Sequence, residues 1–256
     1  MLMPTILSDT WTVFSRAMLL SVRQPLWVAI GILQPILYLT LFGPLLERVA
    51  SVPGFPPGDA WVVFVPGLLV QLGIFGGLFV GFGIIAEWRA GVIDRMMVTP
   101  ASRVALISGR VLRDVVVLVV QAIILTGCAY FFGLRVPIWA VLIGLVLIAM
   151  LGAAFSYISY AVGLMTKSED AFAPLVNTVA LPVLLLSGIL LPMSLAPAWL
   201  QVLSAINPFK HIVDALRAIF RGEVLSPVVA LGLVLAIALI ALGAWFGNRV
   251  FAAQTK

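Results

Sequence analysis

Histidine and cysteine are almost missing from this chain, which carries one of each, His211 and Cys128. A lone cysteine excludes an intrachain disulfide, and a lone histidine leaves no metal-ligand spacing, so no metal site is expected. Cys128 sits inside an apolar run and reads as a small packing residue. Lysine is nearly as scarce: Lys167, Lys210 and Lys256 follow Thr166, Phe209 and Thr255. A P-loop needs Gly before Lys, so that the ammonium meets phosphates cradled by glycine backbone, and that route to ATP is closed. Neither G-x-S-x-G nor H-E-x-x-H occurs, which removes the nucleophile elbow and the zinc protease and leaves no catalytic residue to name. Charge of either sign is sparse, at 10% of 256 residues against 63% hydrophobic. The mean hydropathy of +1.20 belongs to a chain whose solvent is lipid. Its formal charge of +5 is scattered among loops rather than gathered in a patch, so nucleic acid is not the expected partner.

What the chain has in quantity is long uncharged runs. A bilayer core of roughly 30 Å takes about 20 apolar residues of helix, and six runs qualify: 27–46, 61–86, 115–132, 138–165, 172–191 and 227–247. The first shows no small-residue cleavage site at a suitable distance and is expected to stay in the mature protein. Pro35, Pro66, Pro174 and Pro182 fall inside runs, where neighbouring helices can satisfy the freed carbonyls, and they are expected to mark kinks. Gly73, Gly77 and Gly81 repeat along the second run and offer a second helix a close approach. These runs contain no Asp, Glu, Lys, Arg or His. A proton- or sodium-coupled carrier keeps an ionisable group in its spans, so the energy is expected from outside the chain.

Cytoplasmic loops collect basic residues. With both termini in the cytoplasm, Arg16, Arg23, Arg89, Arg95, Arg103, Arg110, Arg113, Lys167, Arg249 and Lys256 lie inside, and Arg48, Arg135, Lys210, Arg217 and Arg221 outside. The larger inner share favours that orientation. Three segments outside the runs have helical character. Residues 8–24, capped by Ser8 or Asp9 and stopped by Pro25, place Arg16 and Arg23 in a narrow polar stripe opposite Trp11, Phe14 and Met18, as in a helix lying on the inner membrane interface. Residues 87–99 read as a helix ended by Pro100, with Trp88, Val92 and Met96 on one side and Glu87, Gly91 and Asp94 on another. Residues 195–223 read as two short outer helices split at Asn207 and Pro208. On the second, Ile212, Ala215, Leu216, Ile219 and Phe220 face inward, and Lys210, Asp214, Arg217 and Arg221 face outward.

Two of these segments carry a family likeness. EWRAGVIDRMMVTPASRVALISGRVLRD, Glu87 to Asp114, resembles the cytoplasmic coupling segment of ABC-2 type transporter permeases, an acidic-basic helix followed by a T-P-x-S-R stretch. PVLLLSGILLPMSLAPAWLQVLSAINPFKHIVDALRAIFRGE, Pro182 to Glu223, is similar to that family's fifth span and outer re-entrant helices; its N-P-x-x-x-x-V-D-A-x-R core is present as Asn207, Pro208, Val213, Asp214, Ala215 and Arg217. The likeness covers nearly the whole chain and is strongest to the daunorubicin-resistance branch. Between Arg89 and Arg95 the chain has fewer basic residues than many relatives.

The resemblance implies an all-α integral membrane fold of the type V ABC exporter kind, one domain over 1–256, with an interfacial helix, a coupling helix and a re-entrant pair. It implies a dimer with a second permease copy or paralogue in the bacterial cytoplasmic membrane, surrounded by lipids. Separate ABC ATPase subunits would bind the ATP and Mg; this chain would hold no cofactor. Docking to the ATPase would fall on Glu87, Arg89, Gly91, Asp94, Arg95 and Pro100. Gln34, Gln71 and Asn177 would line the central pathway, since the first, second and fifth spans line it in that family. Export of hydrophobic drugs or amphiphiles is the leading expectation, favoured by the few tyrosines and the absence of an aromatic ladder. Export of a lipid or lipid-linked glycan is the alternative by the same mechanism. A non-transporting assembly protein is the reading from a different class, and it would need neither the coupling nor the re-entrant segment.

Overall fold

The computed structural model describes residues 3–23, 25–49, 55–56, 59–99, 101–190 and 192–254, and among them there are helices and no strands. In chain order these are α1 (Met3–Arg23), α2 (Pro25–Val49), α3 (Ala60–Arg89), α4 (Val92–Met97), α5 (Arg103–Phe131), α6 (Ile138–Thr166), α7 (Glu169–Leu186), α8 (Ala198–Ile206), α9 (Pro208–Phe220) and α10 (Pro227–Gln254), with a single 3-10 turn at Met193–Leu195. Six of them, α2, α3, α5, α6, α7 and α10, are long and apolar enough to cross a membrane. Helix is the form such sequences must take in lipid, because it satisfies every backbone group within the segment. Pro35 and Pro44 in α2, Pro66 in α3, and Pro174 and Pro182 in α7 are all held inside unbroken helices.

The bundle is organised around α3 and α6. In its most apolar stretch α3 is 67% buried and α6 56%, against 22% for α2 and α10 and 17% for α7. Without a hydrophobic drive between helices in lipid, association depends on close packing, and small residues supply it. A side chain added at Gly73 would meet Ile148 and Leu151, one at Gly77 would meet Phe155 and the Gly152 carbonyl, and one at Gly81 would meet Phe172 and Ser159. Ser159 Oγ accepts from the Gly81 N–H at 2.9 Å and donates to the Leu78 carbonyl, so a hydroxyl of α6 is set directly into the backbone of α3. On the other flank of α6, Gly243 and Gly247 of α10 lie against Ala154 and Tyr157.

The helices exceed the uncharged runs, and the excess is informative. α2, α3, α6 and α10 contain 27–46, 61–86, 138–165 and 227–247 and continue past them; α7 starts at Glu169 and stops at Leu186, while residue 191 lies outside the described residues. The largest difference is at α5, expected from 115 and found from Arg103, with Arg110, Arg113 and Asp114 as interior members. The uncharged run is thus only the later part of a longer helix whose opening turns carry these ionisable groups. A helix does not stop at a charge when that charge has partners inside the bundle.

Two shorter segments also differ. Ser8 and Asp9 do not cap α1, which begins at Met3 and runs through them; residue 24 lies outside the described residues. Asp9 Oδ2 instead accepts the backbone N–H of Ser102, the residue preceding α5, at 3.3 Å. The helix expected over 87–99 is two helices. Glu87 to Arg89 finish α3, Gly91 turns the chain in the left-handed region at φ +67°, and α4 covers only Val92–Met97. Glycine adopts that backbone without strain, which is why the break falls there despite the helical spacing of Trp88, Val92 and Met96.

Contacts sort the helix termini into two ends. At one, Arg89 at the end of α3 pairs with Glu169 at the start of α7 (3.2 Å), Arg103 at the start of α5 donates to the Ala252 carbonyl of α10 (2.9 Å), and Lys167 lies 5.1 Å from the centre of the Trp88 ring. At the other, Trp61 of α3 donates its indole N–H to Glu47 of α2 at 2.8 Å, and α7 runs by way of the 3-10 turn into the α8–α9 hairpin. These are called below the charged end and the hairpin end.

Candidate functional site

At the charged end two arginines one turn apart on α5 hold most of the surrounding elements. Arg110 pairs with Glu87 of α3 at 2.6 Å and reaches the Met96 sulfur of α4 at 3.2 Å. Arg113 pairs with Asp114 at 2.9 Å and donates to Ser21 of α1 at 3.0 Å, while Tyr160 of α6 donates its hydroxyl to the second Asp114 oxygen. Two cations thus face two carboxylates, and Asp114, at 4% exposed, has a partner on each oxygen. Buried charge is tolerated on those terms, and removing one member would strand the others. Arg113, Asp114, Tyr160 and Ser21 were given no site role from sequence, Arg113 counting only toward orientation. The available signal was the adjacent Arg-Asp pair abutting an apolar run, together with a tyrosine in another run.

Of the residues expected at the docking segment, Glu87 and Arg89 are committed to the ion pairs above. Arg95 is turned back on the α3–α4 corner, donating to the Ala90 carbonyl at 3.0 Å and the Gly91 carbonyl at 3.2 Å. Ile93 is the buried residue of α4, while Asp94 is exposed and Val98 beyond the helix is 87% exposed. Glu87 and Asp94 therefore do not share one face of one helix. Pro100 lies outside the described residues.

At the hairpin end, Asn207 separates α8 from α9 and serves both sides of the break. Its Oδ1 accepts the Phe209 N–H at 3.0 Å as the cap of α9, its Nδ2 donates to the Val183 carbonyl at 3.3 Å, and Pro208 is the first residue of α9. Such a start leaves one fewer backbone donor to satisfy. Arg217 departs from the outward position expected of it: it is 4% exposed, donating Nε to the Val63 carbonyl and Nη2 to the Gly188 carbonyl, both at 2.8 Å. Helical periodicity grouped it with the charged residues, but the backbone carbonyls of Val63 in the first turn of α3 and Gly188 beyond α7 accept its guanidinium inside the bundle. Burial lowers its pKa to about 10, with Asp214 opposing, which leaves it cationic at neutral pH. Asp214 stands between Arg217 (3.6 Å) and Lys210 (3.8 Å).

The sequence profile of the ABC-2 type transporter family matches residues 8–220, taking in both ends just described. The chain belongs to the ABC-2 type transporter family. It is 24% identical over 200 residues to the putative transport permease ycf38 of Cyanophora paradoxa, covering 77% of this chain and 69% of that one. It is 24% identical over 221 residues to the daunorubicin resistance ABC transporter permease protein DrrB1 of Streptomyces coeruleorubidus, covering 85% and 77%. To the probable multidrug ABC transporter permease YbhR of Escherichia coli K12 it is 27% identical over 167 residues, covering 64% and 44%. An ABC-2 permease has no nucleotide site of its own and works with ABC ATPase subunits.

The polar residues expected along the permease's pathway are divided by the fold. Gln34 of α2 is exposed, with its amide nitrogen 3.5 Å from the Tyr38 hydroxyl, and Asn177 of α7 is exposed beside Thr178. Gln71 of α3 is 1% exposed, inside the bundle, and its side-chain oxygen has no partner among the described residues. The first two sit on the least buried spans and the third on the most buried.

Proposed function

We propose that this permease is the membrane subunit of an exporter of hydrophobic or amphiphilic compounds, drug-like molecules among them. A separate ATP-binding cassette ATPase would drive it, with a second permease copy or paralogue across a dimer axis. The observation that carries the reading is the surface of α2 and α7. These spans are 22% and 17% buried, apolar, and marked by the uncharged hydrogen-bonding groups of Gln34, Tyr38, Asn177 and Thr178. Pathway surfaces for amphiphiles combine broad apolar contact with a few polar groups that orient the cargo. Two relatives named for daunorubicin resistance and multidrug transport support the same class.

Force would enter at the charged end, taken as cytoplasmic in accord with its basic residues. Asp94 and Val98 offer an exposed acidic and apolar surface next to α4, and the Glu87–Arg110 pair joins that corner to α5. A push on α4 would thus reach both α3 and α5 as rigid elements. Co-purification with the cognate ATPase and reconstitution into proteoliposomes tests the reading. Amphiphilic compounds should stimulate ATP hydrolysis and leave the cytoplasmic side in an ATP-dependent manner; hydrolysis indifferent to every amphiphile, with stimulation by a lipid-linked glycan, would replace it.

A further inference from the structure

Between the Met193–Leu195 turn and α9 lies a cleft of about 260 Å³. Pro56, Pro192 and Met193 supply its apolar groups, Ser194 and Gln201 neutral polar ones, and Lys210, Asp214 and Arg217 a charged floor. Two cations bracket one carboxylate there, so the floor has positive charge in excess. The spacing is loose. Lys210 Nζ is 3.8 Å and Arg217 Nη1 3.6 Å from the Asp214 oxygens, both beyond a hydrogen bond, so each cation keeps donor capacity that Asp214 does not take. The other Arg217 bonds run to the neutral carbonyls of Val63 and Gly188, which accept hydrogen bonds without cancelling charge. A guanidinium 4% exposed and matched only in part is a position where an added anion gains more than it would in water.

We propose that this cleft binds the oxyanionic head group, carboxylate or phosphate, of an amphiphile whose apolar part rests on Pro56, Pro192 and Met193. The proposal builds on the reading of amphiphile export and gives the bound molecule a charge sign. An oxyanion between Lys210 Nζ and Arg217 Nη1 completes an alternation of two cations with two anions, and guanidinium suits it by geometry as well as charge. A cationic head group meets the excess positive charge and is rejected. Two sources present this chemistry, a molecule in transit and an anionic lipid resident in the bilayer.

The test uses the full chain in nanodiscs of zwitterionic phospholipid, without nucleotide or ATPase. Failure of binding then leaves the transport reading standing, and failure of transport leaves the site standing. Saturation binding of radiolabelled dodecyl phosphate is measured against empty nanodiscs, with dodecyltrimethylammonium as the control. Lys210→Gln is expected to weaken dodecyl phosphate about tenfold and Asp214→Asn to tighten it about threefold. Both variants keep the backbone ties of Arg217, and unchanged thermal unfolding confirms that the fold is intact. Phosphatidylglycerol added as a minor component assigns the source: competition marks a bilayer lipid, and no competition marks a free amphiphile, the site standing in either case. Affinities within about twofold of the parent in both variants, or equal binding of the cationic control, overturn the proposal.

Discussion

Arg217 is the residue whose removal should be felt furthest. It bridges carbonyls at Val63 and Gly188, so Arg217→Met removes both hydrogen bonds from the interior. The variant should lose about 3 kcal/mol, read as a lower unfolding temperature in detergent or nanodiscs. Arg217→Lys should recover little of it, because one ammonium cannot address two carbonyls with the fork of a guanidinium. The glutamines separate by the same reasoning about surroundings. Gln71 already has an unpartnered oxygen inside the bundle, so Gln71→Leu should hold or raise the unfolding temperature by the equivalent of about 1 kcal/mol. Gln34→Leu and Asn177→Leu, on exposed faces, should leave that temperature alone and change which amphiphiles stimulate ATP hydrolysis. An unchanged substrate profile for both would remove them from the pathway.

Among elements, the α3–α6 contact carries the bundle and is the least tolerant of added volume. A methyl at Gly77 collides with Phe155 and with the Gly152 carbonyl, which belongs to backbone and cannot rotate away, whereas a methyl at Gly127 of α5 meets nothing within 4 Å. Gly77→Ala should destabilise by about 2 kcal/mol and Gly127→Ala by essentially nothing. Equal unfolding temperatures would show that α3 and α6 can separate freely. The six apolar helices and the glycine stripe could be read from composition and spacing, because lipid leaves an apolar run little choice but helix. The start of α5 could not. A search for uncharged runs stops at Asp114, and only Tyr160 of α6 and Glu87 of α3, distant in sequence, make the charges there acceptable. The corner at Gly91 was hidden by a helical spacing that holds on both sides of it, and the inward turn of Arg217 by partners that are backbone atoms with no signature in a sequence pattern.

For the molecule as a whole, docking of the ATPase at the charged end, as proposed, would require that end both to hold together and to engage a partner, and two acidic residues are expected to divide those tasks. Asp94→Lys alters an exposed position and should weaken ATPase binding about fivefold at low salt, with the difference fading as salt screens it. Glu87→Lys instead sets a cation against Arg110, whose side chain is 7% exposed where that of Glu87 is 40%. It should lower the unfolding temperature by the equivalent of about 1 to 2 kcal/mol, the half-exposed partner limiting the loss. Sedimentation of the complex read alongside thermal unfolding separates the two, and equal effects on both measurements from both variants would mean that docking and internal pairing are one surface. The hydrogen bond from Ser102 to Asp9 also sets a schedule. Its partners are 93 residues apart, so at cellular rates of synthesis roughly 5 to 20 s pass between the emergence of α1 and that of its seat on α5. For that interval Leu7 and Trp11, still 72% and 64% exposed in the finished chain, must wait against lipid or a chaperone. The clasp from Arg103 to Ala252, whose partners are 149 residues apart, needs a later segment, so a ribosome stalled before Ala252 would hold a chain with α1 already seated and that one tie between α5 and α10 still open.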